Sequence, residues 1–101
     1  EGRLERVLDT IHEERGIDLV ITGGCRGADA MADRWARLRH IPTQVYLADW
    51  AKHGRMAGPL RNKEMLVKGK PDIIISFPGG KGTANMVGLG RQKGLRIIEV
   101  S

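Results

Sequence analysis

Leu4, Val7, Leu8 and Ile11 recur at i, i+3, i+4 and i+7, the spacing that lines one face of a helix with apolar side chains. Gly16 stands where such a helix would stop, because glycine takes the left-handed turn at a helix end without steric cost. From Ile17 to Thr22 the pattern changes to a short apolar run, which predicts a buried strand. Helical spacing returns in Ala28, Met31, Ala32 and Trp35 and must end before Pro42, with Trp35 on the core side. Thr43 to Leu47 is apolar and β-branched and predicts another strand. Residues 48–60 lose the periodicity and carry Gly54, Gly58 and Pro59, which predicts a loop with one helical turn near Asp49-Trp50. There Trp50 either packs under the loop or offers its ring to a base. A short helix is expected from about Pro59 to Gly69, with Leu60, Met65 and Leu66 turned inward. Asp72 to Ser76 predicts a strand buried on both faces, and Ala84 to Lys93 a helix capped by Gly94. Leu95 to Val100 is the last expected strand.

Helices alternating with apolar runs predict an α/β fold, a parallel sheet covered by helices on both faces. The 101 residues suffice for one domain over 1–101, and no repeat, linker or low-complexity stretch divides them. The chain opens on a helix, whereas this architecture opens on a strand, so the usual first strand is expected to be missing. Loops that follow strands gather along the edge formed by the strands' carboxyl ends. Two glycine-rich loops follow strands here, and they are expected to meet on that edge.

The second of these loops runs Phe77-Pro78-Gly79-Gly80-Lys81-Gly82-Thr83-Ala84-Asn85-Met86. A glycine turn between a strand and a helix presents backbone N–H groups at the positive end of the helix dipole, which suits a phosphate. Side chains there would block a close approach of ligand to backbone. The first loop, Gly23-Gly24-Cys25-Arg26-Gly27-Ala28-Asp29, repeats the context. Arg26 adds a guanidinium able to grip an anion in bidentate fashion. Asp29 either ties down N–H groups at the helix start or meets a ligand hydroxyl. Arg61 and Asn62 follow Gly58-Pro59 and could face the same edge. Neither loop is the dinucleotide fingerprint, since Gly23-Gly24 and Gly79-Gly80 are adjacent pairs. Neither is a P-loop, because Gly82 and not Ser or Thr follows Lys81.

Composition narrows the chemistry. With 41% apolar and 29% charged residues the chain has no apolar run long enough to cross a bilayer, so no membrane partner is expected. The single cysteine, Cys25, excludes an intrachain disulfide, points to the cytoplasm and is read as incidental. His12, His40 and His53 share no metal-ligand spacing, so no metal is expected. The net charge of +5 favours anionic partners, nucleic acid among them, although the cations are scattered. No residue spacing demands general acid-base or nucleophilic catalysis.

Taken in order, the two glycine loops, Ala48-Asp49-Trp50, Gly58-Pro59-Leu60-Arg61-Asn62 and Pro71-Asp72 resemble the YspA-like branch of the SLOG superfamily. That superfamily is named for Smf/DNA-processing protein A and the Lonely-guy cytokinin-activating enzymes. The resemblance covers most of the chain, and members are common in bacteria and phages. It implies a Rossmann-like three-layer domain, here without its opening strand, that binds nucleotides or nucleotide-derived ligands. The missing strand would lie centrally, between residues 18–22 and 72–77. Either residues upstream of Glu1 supply it or the sheet closes without it. Homodimers are usual among relatives. In the Lonely-guy phosphoribohydrolases a glutamate follows the threonine of the central loop; Met86 takes that position here. A thioether performs no acid-base chemistry.

The leading expectation is therefore a sensor or carrier domain. Gly79, Gly80, Lys81, Gly82 and Thr83 would hold a phosphate with Arg61 and Asn62, while Gly23, Gly24, Arg26, Gly27 and Asp29 would line the sugar or a second phosphate. One alternative is hydrolysis of an N-glycosidic or phosphate bond, with Arg61 in place of the phosphoribohydrolase arginine and Asp29 or Asp49 as acid or base. The other is binding of single-stranded DNA.

Overall fold

The computed structural model describes residues 2–78 and 81–100, with Lys81 described by its backbone alone. The chain is mixed α/β and divides into two compact units, Glu1–Val45 and Tyr46–Ser101.

In the first unit, α1 (Gly2–Arg15) is followed by β1 (Val20–Thr22), α2 (Ala28–Leu38) and β2 (Thr43–Val45). The apolar stripe of α1 buries Leu4, Leu8 and Ile11 as its spacing predicts. Trp35 of α2 is only 2% exposed. Its Nε1–H donates to Asp9 Oδ1 at 2.9 Å, and the Arg39 guanidinium donates to the same oxygen while lying 4.5 Å from the indole centroid. A buried indole needs a partner for its N–H, and Asp9 supplies it. The His12 ring stands edge-on to Trp35, and its Nδ1 accepts the Ile17 N–H. That bond draws Ile17 into the end of α1, so the strand starts at Val20 and not at residue 17. β1 and β2 pair in parallel, Val20 with Thr43 and Thr22 with Val45. The second strand stops at Val45, short of the expected Leu47, which is 72% exposed.

The second unit corrects the loop expected over residues 48–60. It holds α3 (Trp50–His53), a 3-10 turn (Gly54–Met56), α4 (Ala57–Glu64) and a π-helical turn (Met65–Gly69), an almost unbroken helical run. Asp49 starts it by accepting the Lys52 N–H at 3.1 Å. Pro59 does not interrupt it, because it falls in the first turn of α4, where a backbone N–H has no intrahelical acceptor. Gly58 is buried against Trp50: a Cβ there would meet the ring at 3.4 Å. Met65 and Leu66 are buried as expected, whereas Leu60 faces outward at 41% exposure. Glu64 holds Lys68 one turn on at 2.9 Å, and its hydrogen bond and charge raise the Lys68 pKa above 10.5.

A strand–helix–strand unit completes the chain: β3 (Ile73–Ser76), α5 (Lys81–Gln92) and β4 (Arg96–Glu99). β3 and β4 are parallel, Ile73 opposite Arg96 and Ser76 opposite Glu99, and the Val100 N–H extends the ladder to the Ser76 carbonyl at 2.8 Å. Ile74 is buried and its neighbours in β3 are partly covered, short of the expected burial on both faces. α5 begins at Lys81, three residues before the expected Ala84, so Gly82 and Thr83 belong to its first turn. The described strands thus form two parallel pairs.

Candidate functional site

Each unit holds expected site residues in a hydrogen-bonded network. In the first unit, β1 delivers the chain into the loop and α2 carries Asp29 in its first turn. Gly27 sits at φ 78°, a conformation that favours glycine, and its carbonyl accepts the Met31 N–H to begin the helix. From there the Asp29 carboxylate reaches back and accepts the Gly23 and Cys25 N–H groups, both at 3.1 Å. The Gly24 N–H donates to Thr22 Oγ1 at 3.3 Å. Three loop amides that were candidates for holding an anion are therefore engaged within the loop, and Asp29 takes its tying role. Arg26 is exposed.

In the second unit, Asn62 is the organising residue. It is 3% exposed, on the inner face of α4, and its Nδ2 donates to the Gly82 carbonyl at 3.1 Å and to Asn85 Oδ1 at 3.0 Å. Its Oδ1 accepts the Arg61 Nε–H at 3.0 Å, and Arg61 Nη1 lies 3.5 Å from the Tyr46 carbonyl. Arg61, Asn62 and the first turn of α5 are thus brought together. Among the described residues the space beside Gly82 is open: a Cβ there would meet none of them within 4 Å. Gly79 and Gly80 lie outside the described residues, as does the Lys81 side chain.

Beside this turn, a cleft of about 340 Å³ is lined by Ser76, Phe77, Thr83, Val87 and Val100, with the Arg91–Glu99 pair among its walls. Asn85 and this cleft were not expected from the sequence. Asn85 stands in the quoted loop motif, but nothing in the spacing distinguishes it from a surface amide.

The carboxylates weighed as an acid or base are both occupied by backbone: Asp29 by two loop amides, Asp49 by the Lys52 N–H. Among the described residues no three His, Cys, Asp or Glu side chains gather where they could hold a metal ion. No helix of the described residues is long and apolar enough to cross a membrane.

Comparison with known proteins gives this arrangement a family. Residues 1–53 match the family described as YspA, cpYpsA-related SLOG, a span that includes the first glycine loop and Trp50. The chain belongs to the SLOG family. Gene 61 protein of Mycobacterium phage D29 is 36% identical over 101 residues, covering 93% of this chain and 80% of that protein. This likeness extends past residue 53, over Arg61, Asn62 and α5. No solved structure matches the chain.

Proposed function

We propose that this SLOG chain binds a nucleotide or nucleotide-derived ligand as a sensor or carrier domain, with a phosphate at the first turn of α5. The observation that carries the reading is the buried amide of Asn62, which joins Arg61 to the Gly82 carbonyl and so sets a guanidinium beside that turn. Arg61 and the helix dipole supply positive charge, Thr83 a hydroxyl, and Gly79, Gly80 and Lys81 the loop that leads in. Open space beside Gly82 leaves room for ligand. In the first loop, taken by itself, Arg26 and the Gly27 backbone are the candidates for meeting an anion, because the amides before them are engaged. The finer fold in this reading is the Rossmann-like three-layer domain of the superfamily.

Binding is favoured over hydrolysis because Asp29 and Asp49 are engaged as caps and Met86 carries no proton. The test is calorimetric titration with nucleoside monophosphates, ADP-ribose and cyclic nucleotides. At least one should bind, and Arg61→Ala should weaken it roughly 10-fold or more, as loss of a hydrogen bond to a charged group does. A folded chain that binds none of them would overturn the proposal. Release of base or phosphate during titration would replace it with the hydrolase.

A further inference from the structure

The second unit leaves most of one indole exposed. Trp50 is 60% exposed, against 2% for Trp35. An exposed tryptophan leaves a large apolar surface in water, and here the surface is built. The ring is seated by its benzo edge on Gly58, where a Cβ would already stand within 3.4 Å, so its position depends on the buried backbone of α4. Asn62 lies four residues further along the same helix, close to one turn on the same face. The rise between them is about 6 Å. Asn62 in turn reaches the Gly82 carbonyl. The helix therefore strings together an open aromatic ring, a short gap, and the turn assigned to a phosphate. Charge agrees: between Asp49 and Glu64 the sequence carries no acidic residue, while Lys52 and Arg55 within that stretch are exposed.

We infer that Trp50 is the stacking platform for the nucleobase of a nucleoside monophosphate whose phosphate meets the first turn of α5. The inference rests on the nucleotide reading and adds to it a place for the base. Stacking on an open ring is tolerant of base identity, because every base has a π-face. The site should therefore take AMP and GMP with similar affinity, and both more tightly than ribose 5-phosphate.

The experiment uses the whole chain and two readouts. Trp35 is buried, so iodide-quenchable fluorescence reports on Trp50. AMP should quench that emission and shield it from iodide, whereas ribose 5-phosphate should do neither. By calorimetry, Trp50→Ala should weaken AMP roughly 5- to 100-fold, the range for losing one base–aromatic stack. Trp50→Phe should keep most of the affinity, and ribose 5-phosphate should bind both variants as it binds the parent chain. Circular dichroism of each variant confirms that it is folded. If AMP binds and Trp50→Ala leaves its affinity unchanged, the platform is wrong while the nucleotide reading stands. If no mononucleotide binds the folded chain, both fall. Two further results also overturn the platform: shielding of Trp50 by an oligodeoxynucleotide but not by AMP, or shielding that rises with protein concentration alone as the chain self-associates.

Discussion

Asn62 illustrates how one residue can hold a candidate site together. Its amide makes three hydrogen bonds from a position 3% exposed, so truncation removes the bonds to the Gly82 carbonyl, Asn85 Oδ1 and Arg61 Nε at once. Hydrogen bonds contribute about 0.5–1.5 kcal/mol each net, so the loss is on the order of 1–3 kcal/mol. Asn62→Ala should therefore lower the urea midpoint by that free energy with an unchanged denaturant slope. Asn62→Asp should do no better, because a carboxylate can still accept from Arg61 but cannot donate to Gly82 or Asn85. Gly82 makes the opposite case. A Cβ there meets nothing among the described residues, and alanine is favoured over glycine in a helix by up to about 1 kcal/mol. Gly82→Ala should thus leave stability unchanged or raise it while weakening nucleotide binding, measured by thermal melting and calorimetry on one preparation. A variant that both melts higher and binds normally would remove Gly82 from the site.

At the scale of elements, the sequence was legible wherever burial and pattern coincide. The stripe of α1 and Trp35 in α2 lie where their spacing places them, and β3 stands where its isoleucine run predicts a strand, though of its isoleucines only Ile74 is buried. It was misread where one residue type has two uses. Gly54, Gly58 and Pro59 look like loop punctuation, yet Pro59 occupies a permissive first turn and Gly58 is the seat of an indole. Leu60 is apolar and so reads as interior, although the face of α4 that packs inward is the one bearing Gly58 and Asn62. A hydrophobic pattern cannot reveal a glycine and an asparagine as the buried face. The same holds for Asp29: its closeness to the helix start was readable, but its choice of loop amides over ligand needed geometry. Gly90 belongs with these cases, since it lets α5 approach β3. A Cβ there would fall 2.3 Å from Ile74 Cδ1. Gly90→Ala should destabilise despite its better helix propensity, overpacking costing about 1–3 kcal/mol. Ile74→Val removes the clashing methyl, so the pair should show a favourable coupling of at least about 0.5 kcal/mol in a double-mutant cycle. On the exposed side of the same unit, the Glu64–Lys68 pair should be visible by NMR as a Lys68 titration above 10.5, restored to normal by Glu64→Gln.

For the whole molecule, the net charge of +5 complicates every binding measurement, because any polyanion will associate to some extent. Stability offers a way to separate a site from a field. A ligand that binds only the folded state at 100 times its dissociation constant stabilises it by about 2.7 kcal/mol. For a chain of this size each kcal/mol moves the melting midpoint by about 4–8 °C, so saturating AMP should raise it by roughly 10–20 °C. Diffuse attraction behaves differently: it is screened by salt, with a Debye length of about 8 Å at physiological ionic strength. Sodium sulfate matched to AMP in ionic strength should therefore raise the midpoint far less, and the AMP effect should persist when salt is tripled. Melts followed by circular dichroism avoid confusion with any direct effect of the ligand on Trp50. Arg61→Ala supplies the internal control, since it removes one unit of the net charge while taking a donor from the proposed site. The chain's charge would fall from +5 to +4, too small a change to abolish a diffuse effect, whereas a built site should lose most of its ligand-dependent stabilisation. Equal protection of the parent and variant chains by AMP would assign the effect to charge alone.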